Sequence, residues 1–320
     1  MTDKKVYLGI DVGGTKIKIG IVDDGGHLRA VEKYQTRWGR YAAFQTDLAA
    51  YLRDFLNKHG EIHPEGVGIG FRAEVNYKEQ RVTFSRIVND AVDFDICCVA
   101  AKFFNCPIRL DNDVNAMASG EHLYGAGRGR DSFVYVNIGT GLGCGIVSGG
   151  RMIRGQKGNA GEISRYFLRE GRGYASLESR ISGESFLRGA QKLWGGKKTK
   201  EQPVQALFKA WEGGDPEAAV IVETGVRELA LGIVNMEAIL DSGMYVFGGK
   251  VASNRRLVRR IQEEVLAIAK KVGISVNAEF CISQLGAEDS GVIGAAALIK
   301  YEVEEGRNGQ QRNQTTKSES

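Results

Sequence analysis

Residues 6–24 read VYLGIDVGGTKIKIGIVDD, and this segment decides the fold class. It holds two runs rich in β-branched residues, with the turn Asp11-Val12-Gly13-Gly14 between them. Such runs around a glycine turn predict two adjacent strands. The pattern returns at residues 132–150, SFVYVNIGTGLGCGIVSGG, around Gly139-Thr140-Gly141. We therefore interpret the chain as an internal duplication in which each half contains a glycine-rich turn between two strands.

Strands and helices alternate outside these segments, which favours an α/β class with two lobes that face each other across a cleft. We expect an N-terminal α/β lobe at residues 1–110 and a C-terminal α/β lobe with helical additions at 111–300. The last helix is free to pack back on the N-terminal lobe, and residues 301–320, almost without apolar side chains, are expected to be disordered. Further strands are predicted at 66–71, 107–110 and 244–249, and the polar sequence after residue 71 is interpreted as irregular to about residue 92. Helices are predicted at 41–58, 96–104, 112–124, 184–194, 204–213, 217–241, after 249 to about 271, and 289–300.

The composition is typical of a soluble globular protein: 320 residues, 42% hydrophobic, 26% charged, with a net charge of +4. The absence of a basic run argues against nucleic acid as a partner. No apolar stretch is long enough to span a membrane, and the N-terminus lacks the pattern of a signal peptide. Five cysteines without metal-binding or disulfide spacing favour free thiols and exclude a structural zinc site. These features together predict a cytoplasmic protein.

The first glycine turn has the residue types of a phosphate-binding loop. Gly13 and Gly14 expose N–H groups that can cradle phosphate oxygens, while Thr15 offers a hydroxyl and Lys16 a cation. Asp11 ends the preceding strand, where it could hold Mg²⁺ through a water molecule. A plain hairpin explains one such turn equally well, but two related turns in two halves favour the functional interpretation. The P-loop and dinucleotide-binding motifs are both absent.

Acidic and amide side chains crowd a predicted strand-to-helix junction at residues 111–115, DNDVN. One of them is interpreted as a helix cap, because Asp and Asn are favoured caps. The surplus suggests a carboxylate aimed at a substrate hydroxyl. Glu162, within GNAGEI at 158–163, could accept hydrogen bonds from sugar hydroxyls or be an ordinary loop residue. The turn FGGK at 247–250 is either a simple βα turn or a surface along which adenine could lie.

Five motifs occur in a fixed order: DVGGTK, DNDVNA, IGTGLGCGIV, GNAGEI and FGG. Together they resemble the ROK family of repressors, uncharacterised reading frames and sugar kinases, over about residues 6–300. The resemblance implies the two-lobed actin-like ATPase (ribonuclease H-like) fold, with duplicated βββαβα units around a cleft. It also implies an ATP- and Mg²⁺-dependent kinase of a hexose or amino sugar, similar to glucokinases and N-acetylhexosamine kinases, acting usually at the 6-hydroxyl.

The resemblance also implies roles for individual residues. Asp113 matches the catalytic base that takes the proton from the sugar hydroxyl. Asn112, Glu162 and Glu178 match residues that bind the sugar. The remaining residues match positions that bind ATP. Those that would bind its phosphates are Gly13, Gly14, Thr15, Lys16, Gly139, Thr140 and Gly141. Those that would lie along its adenosine are Gly248 and Gly249.

The chain departs from the family pattern at two places. Ser164 and Arg165 follow GEI, where a Gly-His pair and then a zinc-binding cysteine cluster are usual, so the resemblance is to a zinc-lacking subgroup. Arg165 brings a fixed positive charge where a neutral imidazole is usual, and is a candidate substrate contact. Residues 71–76, FRAEVN, replace a Pro-Gly loop that lies near the sugar in relatives. These changes leave the identity of the sugar open.

Two other functions compete with the kinase. A sugar-responsive transcription factor of the family carries an N-terminal helix-turn-helix segment, for which DVGGTK at residue 11 leaves no room. A non-catalytic protein that senses a sugar or nucleotide is compatible with the altered loop and the missing histidine. Relatives are commonly homodimers, so we expect a homodimer, with the apolar helices of the second half as its surface.

Overall fold

The computed structural model describes residues 5–195 and 202–302. Its strands are short and mostly buried. In chain order they are β1 (Val6–Val12), β2 (Lys16–Asp23), β3 (Leu28–Gln35), β4 (Val67–Phe71), β5 (Glu74–Asn76), β6 (Arg81–Phe84), β7 (Ile108–Asn112), β8 (Phe133–Ile138), β9 (Leu142–Ser148), β10 (Arg151–Met152), β11 (Phe167–Glu170), β12 (Gly173–Ser176), β13 (Met244–Gly248) and β14 (Glu279–Ile282).

The helices cover the segments where apolar residues recur at helical spacing. In chain order they are α1 (Tyr41–His59), α2 (Cys97–Ala100), α3 (Asp113–Tyr124), α4 (Gly183–Trp194), α5 (Pro203–Glu212), α6 (Pro216–Leu240), α7 (Arg255–Val272) and α8 (residues 290–302). Single 3₁₀ turns occur at Ile163–Arg165 and Leu177–Ser179. None of the helices in the described ranges is both long and apolar enough to cross a bilayer.

The first sheet has the strand order β3-β2-β1-β4-β7, with an antiparallel meander on one side and parallel pairs on the other. Strand β4, VGIGF, shows why both faces of this sheet are covered. Its three apolar side chains lie in the core cluster that includes the buried face of α1. Gly68 and Gly70 lie on the opposite face. A Cβ on Gly68 would fall on the carbonyl of Ala295 in α8, and one on Gly70 would lie 3.2 Å from Ala116 Cβ in α3.

The second sheet has the order β10-β9-β8-β13-β14. Strand β10 pairs antiparallel with β9, and β13 pairs parallel with both β8 and β14. If the sheet strands of each half are numbered in chain order, both sheets read 3-2-1-4-5. The shared order confirms the internal duplication that the two glycine turns predict.

The chain divides into two compact units. The first comprises the segment that ends at Asp131, Gly145–Ala160 and the segment that starts at Gln284. The second comprises Ser132–Cys144 and Gly161–Ser283. The boundary therefore differs from the expected break after residue 110, and the first unit is discontinuous in sequence.

Helices α3 and α8 explain why the boundary lies where it does. Small residues let both helices approach the first sheet: a Cβ on Gly9 would fall on the carbonyl of Val292. The two helices also meet each other, since a Cβ on Gly120 would lie 2.9 Å from Gly294 Cα. Both therefore belong to the first unit. Helix α8 packs back on the N-terminal strands as the expected division allowed, whereas α3 had been assigned to the C-terminal lobe.

Short elements account for most other differences from the predicted ones. Hairpin β5–β6 lies in the stretch interpreted as irregular, and hairpin β11–β12 and strand β14 were not predicted. The helix expected at 96–104 is α-helical only at Cys97–Ala100, after which the N–H groups of Phe103 and Phe104 both bond to the Ala100 carbonyl and the helix ends in a turn. Tyr301 and Glu302 are helical, and the remainder of the expected disordered tail lies outside the described residues.

Candidate active site

In the first unit, the candidate residues gather at the carboxyl ends of three adjacent parallel strands. Val12, Phe71 and Asn112 are partners across β1, β4 and β7, so Asp11 and Asp113 lie at the same edge of the sheet. Burial raises the pKa of the Asp11 carboxyl to about 7, the positive charge of Lys18 opposes the rise, and the negative charge of Asp113 adds to it. The carboxyl groups of Asp11 and Asp113 are therefore close enough to interact electrostatically.

The turn Gly13-Gly14-Thr15 follows β1 at this edge. Gly13 N–H closes the turn on the Lys16 carbonyl at 3.1 Å, and Thr36 Oγ1 donates to the Gly13 carbonyl at 2.8 Å. The N–H groups of Gly14 and Thr15 make no hydrogen bond to any residue that the structure describes. A rigid turn with two open N–H groups is a ready acceptor of anionic oxygens.

The junction of β7 and α3 combines a helix cap with an acidic side chain that the cap does not need. Asn112 is the cap: its Oδ1 accepts from Val114 N at 2.9 Å and its Nδ2 donates to the Ala73 carbonyl at 3.0 Å. Asp113 is the first residue of α3, where a negative charge is favoured by the helix dipole. The cap interpretation therefore holds for Asn112, whose amide is already engaged on both sides, and Asp113 is the surplus carboxylate.

A buried ion pair that the sequence did not reveal lies directly behind this junction. Arg154 Nε donates to Asp111 Oδ2 at 2.7 Å, and both side chains are nearly buried. Asp111 Oδ1 also accepts from Asn112 N at 2.8 Å and from Asn115 Nδ2 at 3.1 Å. The guanidinium lies 3.7 Å from the centre of the Tyr77 ring. This network fixes the start of α3.

In the second unit, the turn at Gly139-Thr140-Gly141 is held by the first turn of α4. Gly139 N–H bonds to the Gly141 carbonyl at 3.0 Å. Gly183 N–H donates to the Gly139 carbonyl at 2.8 Å, and Glu184 N–H donates to the Thr140 carbonyl at 3.1 Å. Glu178 contributes as well, since its Oε2 accepts from Leu142 N at 3.0 Å. The structure therefore joins Glu178 to this turn, a contact that the sequence did not predict.

Glu162 and Arg165 lie together on the 3₁₀ turn that follows the GNAG segment. Ser164 Oγ donates to Glu162 Oε2 at 3.3 Å, and Arg165 Nε lies 3.9 Å from the same oxygen. Gly161 has φ +88°, and a Cβ there would fall on the Cys144 carbonyl, so this segment is fixed against β9. Arg165 thus places a positive charge beside the candidate sugar-binding carboxylate, and its side chain stays half-exposed.

The third glycine turn, after β13, is shaped mainly by packing. A Cβ on Gly248 would collide with the Tyr135 hydroxyl. Gly249 has φ +88°, and a Cβ there would lie 2.6 Å from the Ile138 carbonyl oxygen. Close backbone approach explains both glycines without a ligand, and an exposed face at Lys250 remains beside them.

Within residues 5–195 and 202–302, no group of three or more His, Cys, Asp and Glu side chains is arranged to hold a metal ion. The carboxylates of Asp11 and Asp113 are oxygen donors of the kind that Mg²⁺ prefers, and they suit a cation that is also bound by a substrate's phosphate oxygens.

Comparison with known proteins gives consistent matches over nearly the whole chain. The model of the ROK family matches residues 7–302. A glucokinase of Halalkalibacterium halodurans is 29% identical, over 92% of this chain and 95% of the relative. The crystal structure of a ROK family glucokinase from Streptomyces griseus, in complex with glucose and AMPPNP, is 25% identical with a TM-score of 0.78, over 92% of this chain and 98% of that one. The ROK hexokinase from Thermus thermophilus is 27% identical with a TM-score of 0.75, over 94% and 99% of the two chains. The two-sheet architecture is thus the actin-like fold of these kinases.

Proposed function

The chain belongs to the ROK family, and from that premise we propose that it is an ATP-dependent kinase of a hexose or amino sugar. One observation carries the proposal: two interacting carboxylates, Asp11 and Asp113, lie at the sheet edge where the Gly13-Gly14 turn leaves two N–H groups open. An anion-binding turn beside a carboxylate is what transfer of a phosphoryl group to a hydroxyl requires.

In the proposed reaction, Asp113 accepts the proton of the attacking sugar hydroxyl, most simply the 6-hydroxyl. Its place at the first position of α3, fixed by the Asn112 cap and the Asp111–Arg154 pair, holds the carboxylate in one geometry. Phosphoryl transfer depends mainly on positioning and on neutralising charge, so rigidity at this residue matters more than unusual chemistry.

The phosphates of ATP are assigned to the glycine turns of both units. In the first unit, Gly13, Gly14, Thr15 and Lys16 would bind them through open N–H groups, a hydroxyl and a cation. Mg²⁺, when bound, would neutralise phosphate charge, with Asp11 holding it through a water molecule. In the second unit, the assigned residues are Gly139, Thr140 and Gly141, with Gly248 and Gly249 along the adenosine.

The sugar is assigned to Asn112, Glu162, Glu178 and Arg165. The sugar-binding role has its strongest support at Glu162. Its carboxylate is contacted by Ser164 and Arg165 from the same short turn, and the side chain remains partly exposed. Glu178 accepts one hydrogen bond from Leu142 N, so it would contribute its remaining acceptor capacity. Asn112 Oδ1 already accepts from Val114 N and Asn115 N, so Asn112 would contribute the second N–H of its Nδ2 group. The altered loop at residues 71–76 leaves the kind of hexose to experiment.

The test is an ADP-release assay with Mg-ATP against a panel of hexoses and amino sugars. We expect one sugar to give strong ADP formation that requires both that sugar and Mg²⁺. A flat panel from protein that is folded and binds ATP would contradict the kinase assignment.

A non-catalytic sensor of a sugar or nucleotide is the second candidate. Two features favour it: Ser164-Arg165 stands in place of Gly-His, and the Arg165 side chain lies beside the Glu162 carboxylate. Tight binding of one sugar from the same panel, measured by calorimetry and without turnover, would select this function.

We further propose that the protein is a homodimer. Helix α6 presents Leu231, Asn235 and Ile239 on one face, and Asn235 Nδ2 donates to Tyr166 OH at 2.7 Å. Leu231 and Ile239 are exposed although apolar. We call Tyr166, Leu231, Asn235 and Ile239 the α6 patch, and a second copy of the chain would cover it.

A further inference from the structure

Arg72 occupies an unusual position beside the first glycine turn. It follows the last residue of β4, and its N–H donates to the Val12 carbonyl at 3.0 Å, which places it next to the end of β1. A Cβ on Gly14 would lie 2.8 Å from Arg72 Nη1, so the guanidinium lies over Gly14. The side chain reaches across the turn rather than away from it.

Within the described part of the chain, no acidic side chain forms an ion pair with the Arg72 guanidinium. No carboxylate of the described residues lies within 4.0 Å of it, although Asp11 and Asp113 are at the same sheet edge. The neighbouring N–H groups of Gly14 and Thr15 are also open. The N–H groups of the planar Arg72 guanidinium and two backbone N–H groups thus lie at one turn. This combination of donors is suited to binding a phosphoryl group.

Trp38 supports the Gly14 side of this arrangement. Its Nε1 donates to the Gly14 carbonyl at 2.5 Å, and its Cζ2 would lie 3.7 Å from a Cβ on Gly14. Although Trp38 is 60% exposed, this bond satisfies the Gly14 carbonyl and fixes the peptide that follows Gly14. The indole therefore lies beside the same small volume as Arg72.

We propose that Arg72 is a catalytic residue that binds the transferred γ-phosphoryl group of ATP at the Gly13-Gly14 turn. This assignment rests on the proposed kinase function. In the reaction, a bond forms between the sugar oxygen and the γ-phosphorus, and the bond from that phosphorus to the bridging oxygen breaks. The electron pair leaves with ADP, and the hydroxyl proton passes to Asp113. Arg72 would neutralise the equatorial oxygens of the transferred group throughout this step.

The experiment compares Arg72→Gln and Arg72→Lys with wild type in nucleotide affinity and in turnover. Calorimetry with Mg-ATP and Mg-ADP comes first, because it needs no sugar. We expect Arg72→Gln to weaken Mg-ATP binding about ten-fold and to leave Mg-ADP binding unchanged, since the contact is to the γ-phosphoryl group alone. With the sugar found in the panel, kcat of Arg72→Gln should fall about 10²- to 10³-fold. Arg72→Lys should have an intermediate kcat, because it keeps the positive charge but loses the bidentate hydrogen bonding of the guanidinium.

The control is Arg128→Gln, an exposed arginine beyond the other end of α3, about 18 Å of helix away from Asp113. It should match wild type in every measurement, and thermal unfolding should be equal for all variants. Equal loss of Mg-ATP and Mg-ADP affinity, no loss of either, or a raised KM for the sugar at unchanged kcat would each overturn the assignment of Arg72. A wild type that binds Mg-ATP but phosphorylates no sugar would instead overturn the kinase, and the calorimetric comparison would still decide on Arg72.

Discussion

At the scale of single residues, Asp113 carries the proton transfer of the proposed reaction. Asp113→Asn keeps the shape of the side chain and removes its basicity. We therefore expect kcat for sugar phosphorylation to fall about 10²- to 10⁴-fold, with Mg-ATP affinity within about two-fold of wild type. ADP release and calorimetry measure the two quantities.

The matched control for Asp113→Asn is Glu217→Gln, which removes a first-turn acid from α6. This variant should keep full activity. A fully active Asp113→Asn protein would show that another group accepts the proton, and the assignment of Asp113 would fail.

The pair of Arg154 and Asp111 is a second residue-scale feature with a measurable effect. Arg154→Met leaves the Asp111 carboxylate buried without its cation. Breaking a buried pair in this way costs about 3–5 kcal/mol, so the urea midpoint of the first unit should fall sharply.

Arg81→Met provides the comparison, because the Arg81–Asp93 pair is largely exposed. Such surface pairs contribute about 0–1 kcal/mol. Similar losses in the two variants would mean that the Asp111 carboxylate finds another partner or that water reaches it.

Asp23 gives a prediction for acid solution. Burial alone would raise its pKa, but hydrogen bonds from His27 N–H and the Arg29 guanidinium outweigh burial and lower the pKa to about 2. Since the folded value lies below the ordinary value of 3.8, the stabilisation is complete above pH 3.8 and is lost as the pH falls towards about 2. The difference in urea midpoint between wild type and Asp23→Asn should shrink across that window. A difference that stays constant from pH 5 to pH 2 would contradict the lowered pKa.

Single residues also mark the limit of prediction from sequence. Asn112 and Asp113 could be found because caps and surplus acids at a strand-to-helix junction leave a local pattern. Arg154 could not, because it is 43 residues from Asp111 and only the folded chain brings them together. Arg72 was recognised as a departure in a loop, but its approach to Gly14 depends on the pairing of β1 with β4.

At the scale of elements, the glycines of the first sheet determine how close its helices come. Gly68→Ala would place a Cβ on the carbonyl of Ala295 in α8. Because this carbonyl is part of the backbone, no change of side-chain rotamer can relieve the clash. We expect a loss of about 1–3 kcal/mol or more in the free energy of unfolding, measured with urea, because α8 must shift off the sheet.

Gly39→Ala is the control for this substitution. Gly39 has nothing within 4 Å of the added Cβ. Its stability should change by no more than about 0.5 kcal/mol. Equal stability of the Gly68→Ala protein would show that α8 is not tightly packed on β4.

The predicted elements were most accurate where they bury a long apolar face. Helix α1 and strands β1 and β2 have unmistakable periodicity, and their bounds agree with prediction within two residues. Hairpins β5–β6 and β11–β12 have strands of only three or four residues, and each strand of the first hairpin buries one valine, so neither hairpin has a run long enough to show periodicity. Their pairing depends on chain segments that only the fold brings together.

At the scale of the whole molecule, the α6 patch predicts the oligomeric state. Leu231→Glu with Ile239→Glu places two charges on the proposed contact surface. We expect light scattering to give the mass of a dimer for wild type and of a monomer for the double variant, with unchanged thermal unfolding of the separated chain.

Val272→Glu serves as the control, since Val272 is also exposed and apolar but ends α7. This variant should remain a dimer. A wild-type protein with the mass of one chain would disprove the proposed dimer.

The discontinuous first unit has a consequence for how the protein is made. A small hydrophobic cluster, separate from the main core of this unit, joins the first two strands to α8. Its buried residues are Tyr7, Val22, Val292, Ile293, Ala296 and Ile299. A ribosome adding about 5–20 residues per second needs roughly ten to thirty seconds to proceed from the end of α3 to α8. During that interval the first sheet has emerged with α3 on its glycine-lined face, and the part of that face that α8 later covers is still exposed to water. The first unit is therefore completed only after both segments of the second unit have been translated.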